Sequence, residues 1–173
     1  VNGIIANISN AIGTDADKNR LRGEALTMRA WSYFNLVQIY AKRYAAGTTN
    51  SQLGLSMPLS PTDLQLPRSS VEEVYQQINK DLADAVVAFG TASAPPAGPQ
   101  FKSHLSLRAA YAIWARVALT MQDYVKAAEY AKKVIDLGGH SLMTNAQYQA
   151  GFNDLSNPEW IWGAYVQDDQ GDT

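Results

Sequence analysis

The sequence predicts an all-α fold of stacked helical hairpins with irregular insertions, and three observations carry that prediction. Residues 25–41 are apolar almost all the way round a helix, with Ala25, Leu26, Met28, Ala30, Trp31, Tyr33, Phe34, Leu36, Val37, Ile39 and Tyr40. A helix that is apolar on most sides is packed on most sides, so this one belongs at the centre. Further on, Tyr111, Trp114 and Ala115 precede an Asp123-Tyr124 turn, and Ala127, Tyr130, Ala131 and Val134 follow it. Small residues at helical spacing on both arms let two helices approach closely. Finally, the prolines fall between the periodic stretches rather than inside them: Pro58, Pro61, Pro67, then Pro95, Pro96 and Pro99. Proline there marks connections.

The elements follow in order. Ile4, Ile5, Ile8 and Ile12 recur at helical spacing, predicting a short first helix over 2–12 that Gly13 ends. Thr14, Asp15 and Asp17 supply a cap and negative charge for a second helix from about 17 to 44. At about 100° per residue, Glu24, Thr27, Asn35, Gln38 and Lys42 share one narrow polar strip on it. Arg29 points the other way, into packed surroundings, so it needs a carboxylate or several carbonyls. Residues 45–68 lack a period and predict a long irregular connection, of a length that is functional or wrapped on the surface. Ser69…Glu72 and Ser70…Glu73 both fit a capping box. The third helix then runs to about Phe89 on a stripe of Val71, Val74, Tyr75, Ile78, Leu82, Ala85 and Val86.

Residues 90–102 form a Pro/Gly linker, and Ser103 or Ser106 caps a fourth helix reaching about Met121. The fifth covers about 124–137 and stops at Gly138-Gly139. The fourth and fifth together have the form of a tetratricopeptide-like unit. Such hairpins cannot bury their apolar faces alone, so they stack and build binding surfaces. A short helix near 145–149 follows. Glu159 to Val166 is bulky and β-branched, which predicts an extended segment or short strand. In a strand, Trp160 and Trp162 share one face opposite Ile161.

Composition narrows the function. A chain of 173 residues is one domain by size and hides roughly 70% of its unfolded surface. Net charge is −2 with no basic block, so nucleic acid is excluded as the expected partner. There is no cysteine, hence no disulfide, zinc–thiolate site or cysteine nucleophile in this stretch. No apolar run approaches the ~20 residues of a membrane helix, and no signal peptide is visible. The abrupt start at Val1 and stop at Thr173 predict a piece of something longer.

Four blocks together resemble one family. Glu24 with Leu26, Arg29, Ala30, Tyr33, Phe34 and Leu36 is similar to the long-helix signature of SusD/RagB proteins. Arg68, Ser69, Val71, Glu72, Glu73, Val74 and Tyr75 resemble the next block. Ala109 through Val117, with Asp123, Tyr124, Ala127 and Ala131, resembles the family's alanine-rich hairpin, though Gln122 stands where glycine is usual. Glu159, Ile161 and Trp162 resemble a Glu-x-Ile-Trp block. The resemblance covers about residues 17–165. It implies a non-catalytic glycan-binding lipoprotein of Bacteroidetes, lipid-anchored at the outer surface of the outer membrane. There it would sit as a lid on a SusC-like TonB-dependent transporter and serve nutrient uptake, with no cofactor. The anchoring cysteine and most of the family's ligand-contacting segments have no counterpart in this stretch.

The residues themselves nominate Trp31, Trp160 and Trp162 as ligand-binding candidates, because flat indoles accept the C–H faces of sugars. Core packing competes with that role for all three. Trp114, inside the hairpin, is assigned to the core. Arg29 is read as structural, so that its loss would cost stability rather than binding. His104 and His140 are too far apart to pair around a metal on one helix, and no metal is expected. Asp168, Asp169 and Asp172 read as a solvated acidic end rather than a calcium loop. Two rivals remain: a tetratricopeptide-type protein-interaction scaffold, and a helical glycoside hydrolase. The second would need two carboxylates across a cleft, and no such pair stands outside helix caps and surface strips.

Overall fold

The computed structural model describes residues 1–94 and 98–165. The acidic end with Asp168, Asp169 and Asp172 lies outside them, as does the centre of the Pro/Gly linker. Among the described residues six α-helices follow in order: α1 (Asn2–Asn7), α2 (Asp15–Tyr40), α3 (Val71–Gly90), α4 (Leu107–Thr120), α5 (Tyr124–Asp136) and α6 (Asn145–Gln149). Two short 3-10 turns, Ile8–Asn10 and Pro99–Ser103, separate them. Among the described residues there is no strand, only an isolated antiparallel bridge between Leu53 and Ser70. No helix among them is long and apolar enough to cross a membrane.

Helix starts obey local chemistry. Thr14 caps α2 through the Asp17 N–H, and Ser106 rather than Ser103 caps α4 through Ala109. Of the two possible capping boxes before α3, Ser70 with Glu73 forms: Ser70 N–H donates to Glu73 Oε2 at 2.7 Å, and Glu73 N–H donates to Ser70 Oγ at 3.2 Å. α2 starts two residues early and stops at Tyr40, so Lys42 leaves the helix and its strip. Thr27 also leaves it. It is fully buried, and its hydroxyl donates back to Gly23 O at 2.7 Å. That bond satisfies the hydroxyl within its own helix, which is what lets a threonine face the core.

The core joins α2, α3 and α4 around Phe34, Val37, Val74, Ile78, Leu82, Ile113 and Val117. Inside it lies the partner of Arg29. Nε and Nη2 donate to Asp81 Oδ2 and Oδ1 at 2.8 and 2.7 Å. The Asp81 side chain is 1% exposed and that of Arg29 9%. Burial alone would lower the Arg29 pKa, but the hydrogen bonds and charge of Asp81 outweigh it and the net shift is upward. Arg29 Nη1 also donates to Asn2 Oδ1 and Leu59 O, and Gln77 donates to Asp81 Oδ1. One ion pair therefore fastens α1, α2, α3 and the long connection.

That connection is wrapped on the surface and pinned. Gly54 N–H donates to Ser69 O and Ser69 N–H to Leu55 O. A Cβ on Gly54 would press the Ser70 backbone at 2.9 Å, so only glycine fits this approach. Asn50, buried, accepts from Ala45 N–H and donates to Ala45 O and Thr48 O, closing a tight turn.

The α4–α5 hairpin matches expectation. The Trp114 ring stacks on Tyr130 with centroids 4.2 Å apart, and its Nε1 donates to Asn79 Oδ1 on α3 at 2.8 Å. Gln122 at the turn has φ +64, the left-handed conformation that glycine would adopt without cost.

Candidate functional site

The segment 159–162 is not a strand. Trp160 N–H donates to Asn157 O at 3.2 Å, a turn that bends the chain. Trp160, Ile161 and Trp162 consequently do not alternate across a sheet. All three line the same cavity. The strand expectation failed because bulky, β-branched residues suit any half-buried surface, and no neighbouring strand stands among the described residues to pair with.

Trp31 completes the group. It enters from α2, half-buried, and meets Trp162 edge-to-face with centroids 6.0 Å apart. The three tryptophans named from the sequence thus converge on one open cavity of about 410 Å³. Ala109 and Ile113 of α4 also line it, as do Met143 and Phe152. Ligand pockets run from about 300 to 1,000 Å³ and are apolar with a few polar groups. The charged groups among the described lining residues are Arg116 and Glu159. Arg116 Cζ stands 5.6 Å from the Trp31 ring centroid, within cation–π range.

Backbone and side-chain bonds fix the tryptophan-bearing segment from several elements. Trp162 Nε1 donates to Ser103 O at 3.1 Å. Gly163 N–H donates to Lys102 O, and Lys102 Nζ to Asn157 O. Trp160 lies over Gly163, where a Cβ would overlap its ring. Glu159 Oε1 accepts from Met143 N–H at 2.8 Å. Arg108 Nη1 and His140 Nε2 are 2.8 Å apart. Arginine only donates, so this Nε2 accepts and Nδ1 carries the proton, which it gives to Pro158 O at 2.9 Å. Both His140 nitrogens are thereby committed. His104 Nδ1 faces Glu24 at 3.0 Å, and Glu24 also takes Arg20. Neither histidine is arranged as a metal ligand.

Arg116, Met143 and Phe152 carry no ligand-binding expectation from the sequence, and Glu159 stands there only as part of the Glu-x-Ile-Trp block. A signal for Arg116 exists. Ala109, Ile113 and Arg116 stand at i, i+4 and i+7, one face of α4. Met143 and Phe152 come from irregular chain and carry no period.

Comparison with known proteins agrees with this architecture. Residues 1–119 match the SusD-like family described as starch-binding and associating with the outer membrane. A SusD-like carbohydrate binding protein from Bacteroides vulgatus is 32% identical, with a TM-score of 0.85 over 98% of this chain and 35% of its own. A SusD superfamily protein from Bacteroides thetaiotaomicron is 28% identical, with a TM-score of 0.81 over 96% of this chain and 36% of its own. The chain therefore spans about a third of the length of these solved relatives. No curated protein sequence matches it. With the signature blocks, the helical order and the profile match over 1–119 in agreement, the chain belongs to the SusD-like family.

Proposed function

We propose that the protein captures oligosaccharides at the cell surface, without catalysis, for uptake through a SusC-like TonB-dependent transporter of the outer membrane. The carrying observation is the convergence of Trp31, Trp160 and Trp162 on one cavity of about 410 Å³. Sugar rings present C–H faces that suit indoles, while Arg116 and Glu159 offer a donor and an acceptor for hydroxyls. The family description, starch-binding and associating with the outer membrane, supports both the ligand class and the location. The relative from Bacteroides vulgatus is described as carbohydrate binding, which points the same way. Lipid anchoring and surface exposure complete this reading, with residues 1–173 as one helical unit.

The non-catalytic reading is supported by the acidic groups. Glu159 is the single carboxylate among the described lining residues, and one of its oxygens is bonded to Met143 N–H. Glycoside hydrolysis uses two carboxyl groups across the bond. A glycan array on the intact protein tests the proposal. Retention of at least one polysaccharide family is expected, with no sugar released on incubation. Released sugar would establish a hydrolase, and retention of peptides alone would establish an interaction scaffold.

A further inference from the structure

α2 ends in a cluster of positive charge. Lys42 and Arg43 follow its last turn, and Arg68 folds back beside them. Arg68 is held by backbone carbonyls: Nε donates to Gly54 O at 2.8 Å, and Nη2 to Tyr40 O and Leu53 O at 3.2 Å each. The bond to Tyr40 O satisfies one carbonyl of the last turn of α2, and the three together fix the guanidinium in place. Among the described residues, none of the three cations has a carboxylate within ion-pair distance. Lys18, Arg20, Arg29, Lys80 and Lys132 each have one and the other described lysines and arginines do not; what sets Lys42, Arg43 and Arg68 apart is that they line two cavities that share Lys42.

Two open cavities flank this cluster, and Lys42 lines both. One, of about 460 Å³, is bordered by Gln38, Lys42 and Arg43. The other, of about 520 Å³, is bordered by Tyr40, Lys42, Gln52 and Arg68. The Tyr40 ring is 66% exposed beside them. Uncompensated cations, two side-chain amides and an exposed aromatic ring are the groups that recognise a charged, hydroxyl-rich ring. The cavity of Trp31, Trp160 and Trp162 has instead one cation, already seated on an indole, and one carboxylate.

We propose that the end of α2 is a second saccharide site, selective for acidic sugars. A carboxylate or sulfate lies against Lys42, which lines both cavities, with Arg43 and Gln38 on one side and Arg68 and Gln52 on the other. The ligand class rests on the glycan-binding reading; the site and its charge preference rest on the cation cluster.

The test is calorimetry on the intact protein with trigalacturonate, with a chondroitin sulfate tetrasaccharide, and with the carboxyl-reduced and desulfated counterparts. At least one acidic ligand is expected to bind more tightly than its neutral counterpart, and to weaken as salt rises. The double variant Lys42→Ala/Arg43→Ala, both exposed and outside the helix, is expected to lose about tenfold in affinity for that ligand. Its melting temperature and its affinity for any neutral glycan should stay unchanged. Equal affinity for charged and neutral forms, or an unaltered double variant, overturns the site. Binding to vesicles of phosphatidylglycerol without binding to either acidic sugar overturns it in favour of a membrane surface. Neutral glycan binding with no acidic binding defeats this site alone, whereas no glycan binding at all defeats the glycan-capture reading as well.

Discussion

α2 and α3 are joined through a buried charged contact: Arg29 and Asp81 meet in two hydrogen bonds of 2.8 and 2.7 Å. α4 and α5 are joined through an aromatic one: Trp114 lies on Tyr130 with centroids 4.2 Å apart. The first half brings together residues 52 positions apart and draws Asn2 and Leu59 into the same network. The second is local, sixteen positions from ring to ring, and leaves Val125 and Ile135 of α5 at 80% and 75% exposure. A buried ion pair contributes little stability relative to a well-packed apolar pair, yet leaving one partner alone is costly. Stacked rings add area and dispersion and tolerate partial loss. The α1–α3 half is therefore expected to fail all at once, and the hairpin by degrees.

Breaking the ion pair is the most severe test of that contrast. Arg29→Ala strands a buried carboxylate and is predicted to cost about 3–5 kcal/mol in urea denaturation. The double change Arg29→Met/Asp81→Leu should recover most of this, because no unpaired charge remains. A single variant as stable as the double would refute the account of Arg29 as structural. Next in size, Trp114→Ala removes the stack and the bond to Asn79, with an expected loss of about 3 kcal/mol. If that loss equals or exceeds the Arg29→Ala loss, the comparison is inverted.

Smaller effects sharpen it. Ser70→Ala removes the cap of α3 and should cost about 1 kcal/mol. The backbone N–H and hydroxyl of Ser70 hold the Glu73 carboxyl below its ordinary range. Its folded pKa lies below the unfolded one, so its contribution is present above the ordinary carboxylate pKa. It is lost as pH falls through the depressed folded value. The acid limb of the stability profile should thus be shallower in Ser70→Ala than in wild type. Identical limbs would show the box to be energetically idle. The smallest effect is a gain: Gln122→Gly relieves a left-handed residue at φ +64 and should add about 0.5–1 kcal/mol.

Much of this was legible in the sequence, for reasons that can be named. Arg29 announced its need for a carboxylate by sitting on the apolar side of α2. The partner was not named: Asp81 stands at core spacing beside Ile78, Leu82 and Ala85, but which helix packs on which is not written in either stripe. A capping box before α3, the Gly138 stop and the strained Gln122 followed from local rules that need no tertiary information, though two boxes fitted and only the structure chose Ser70 with Glu73. Thr27 misled because side-chain polarity says nothing about a bond made within the same helix. The tryptophan cavity was half legible. Its indoles stand out as residues, but their meeting depends on Lys102 and Ser103 of a short 3-10 turn and on His140 and Asn157 of irregular chain. No period encodes such contacts.

The indoles of Trp31, Trp160 and Trp162 are proposed as a sugar platform. The most direct measurement is the affinity of the intact protein and of its Trp160→Ala variant for an oligosaccharide that the array retains, with melting temperatures taken in parallel. The account predicts a loss of tenfold or more, roughly the worth of one buried stacking ring, with the fold intact. Unchanged affinity in a stably folded variant would contradict it.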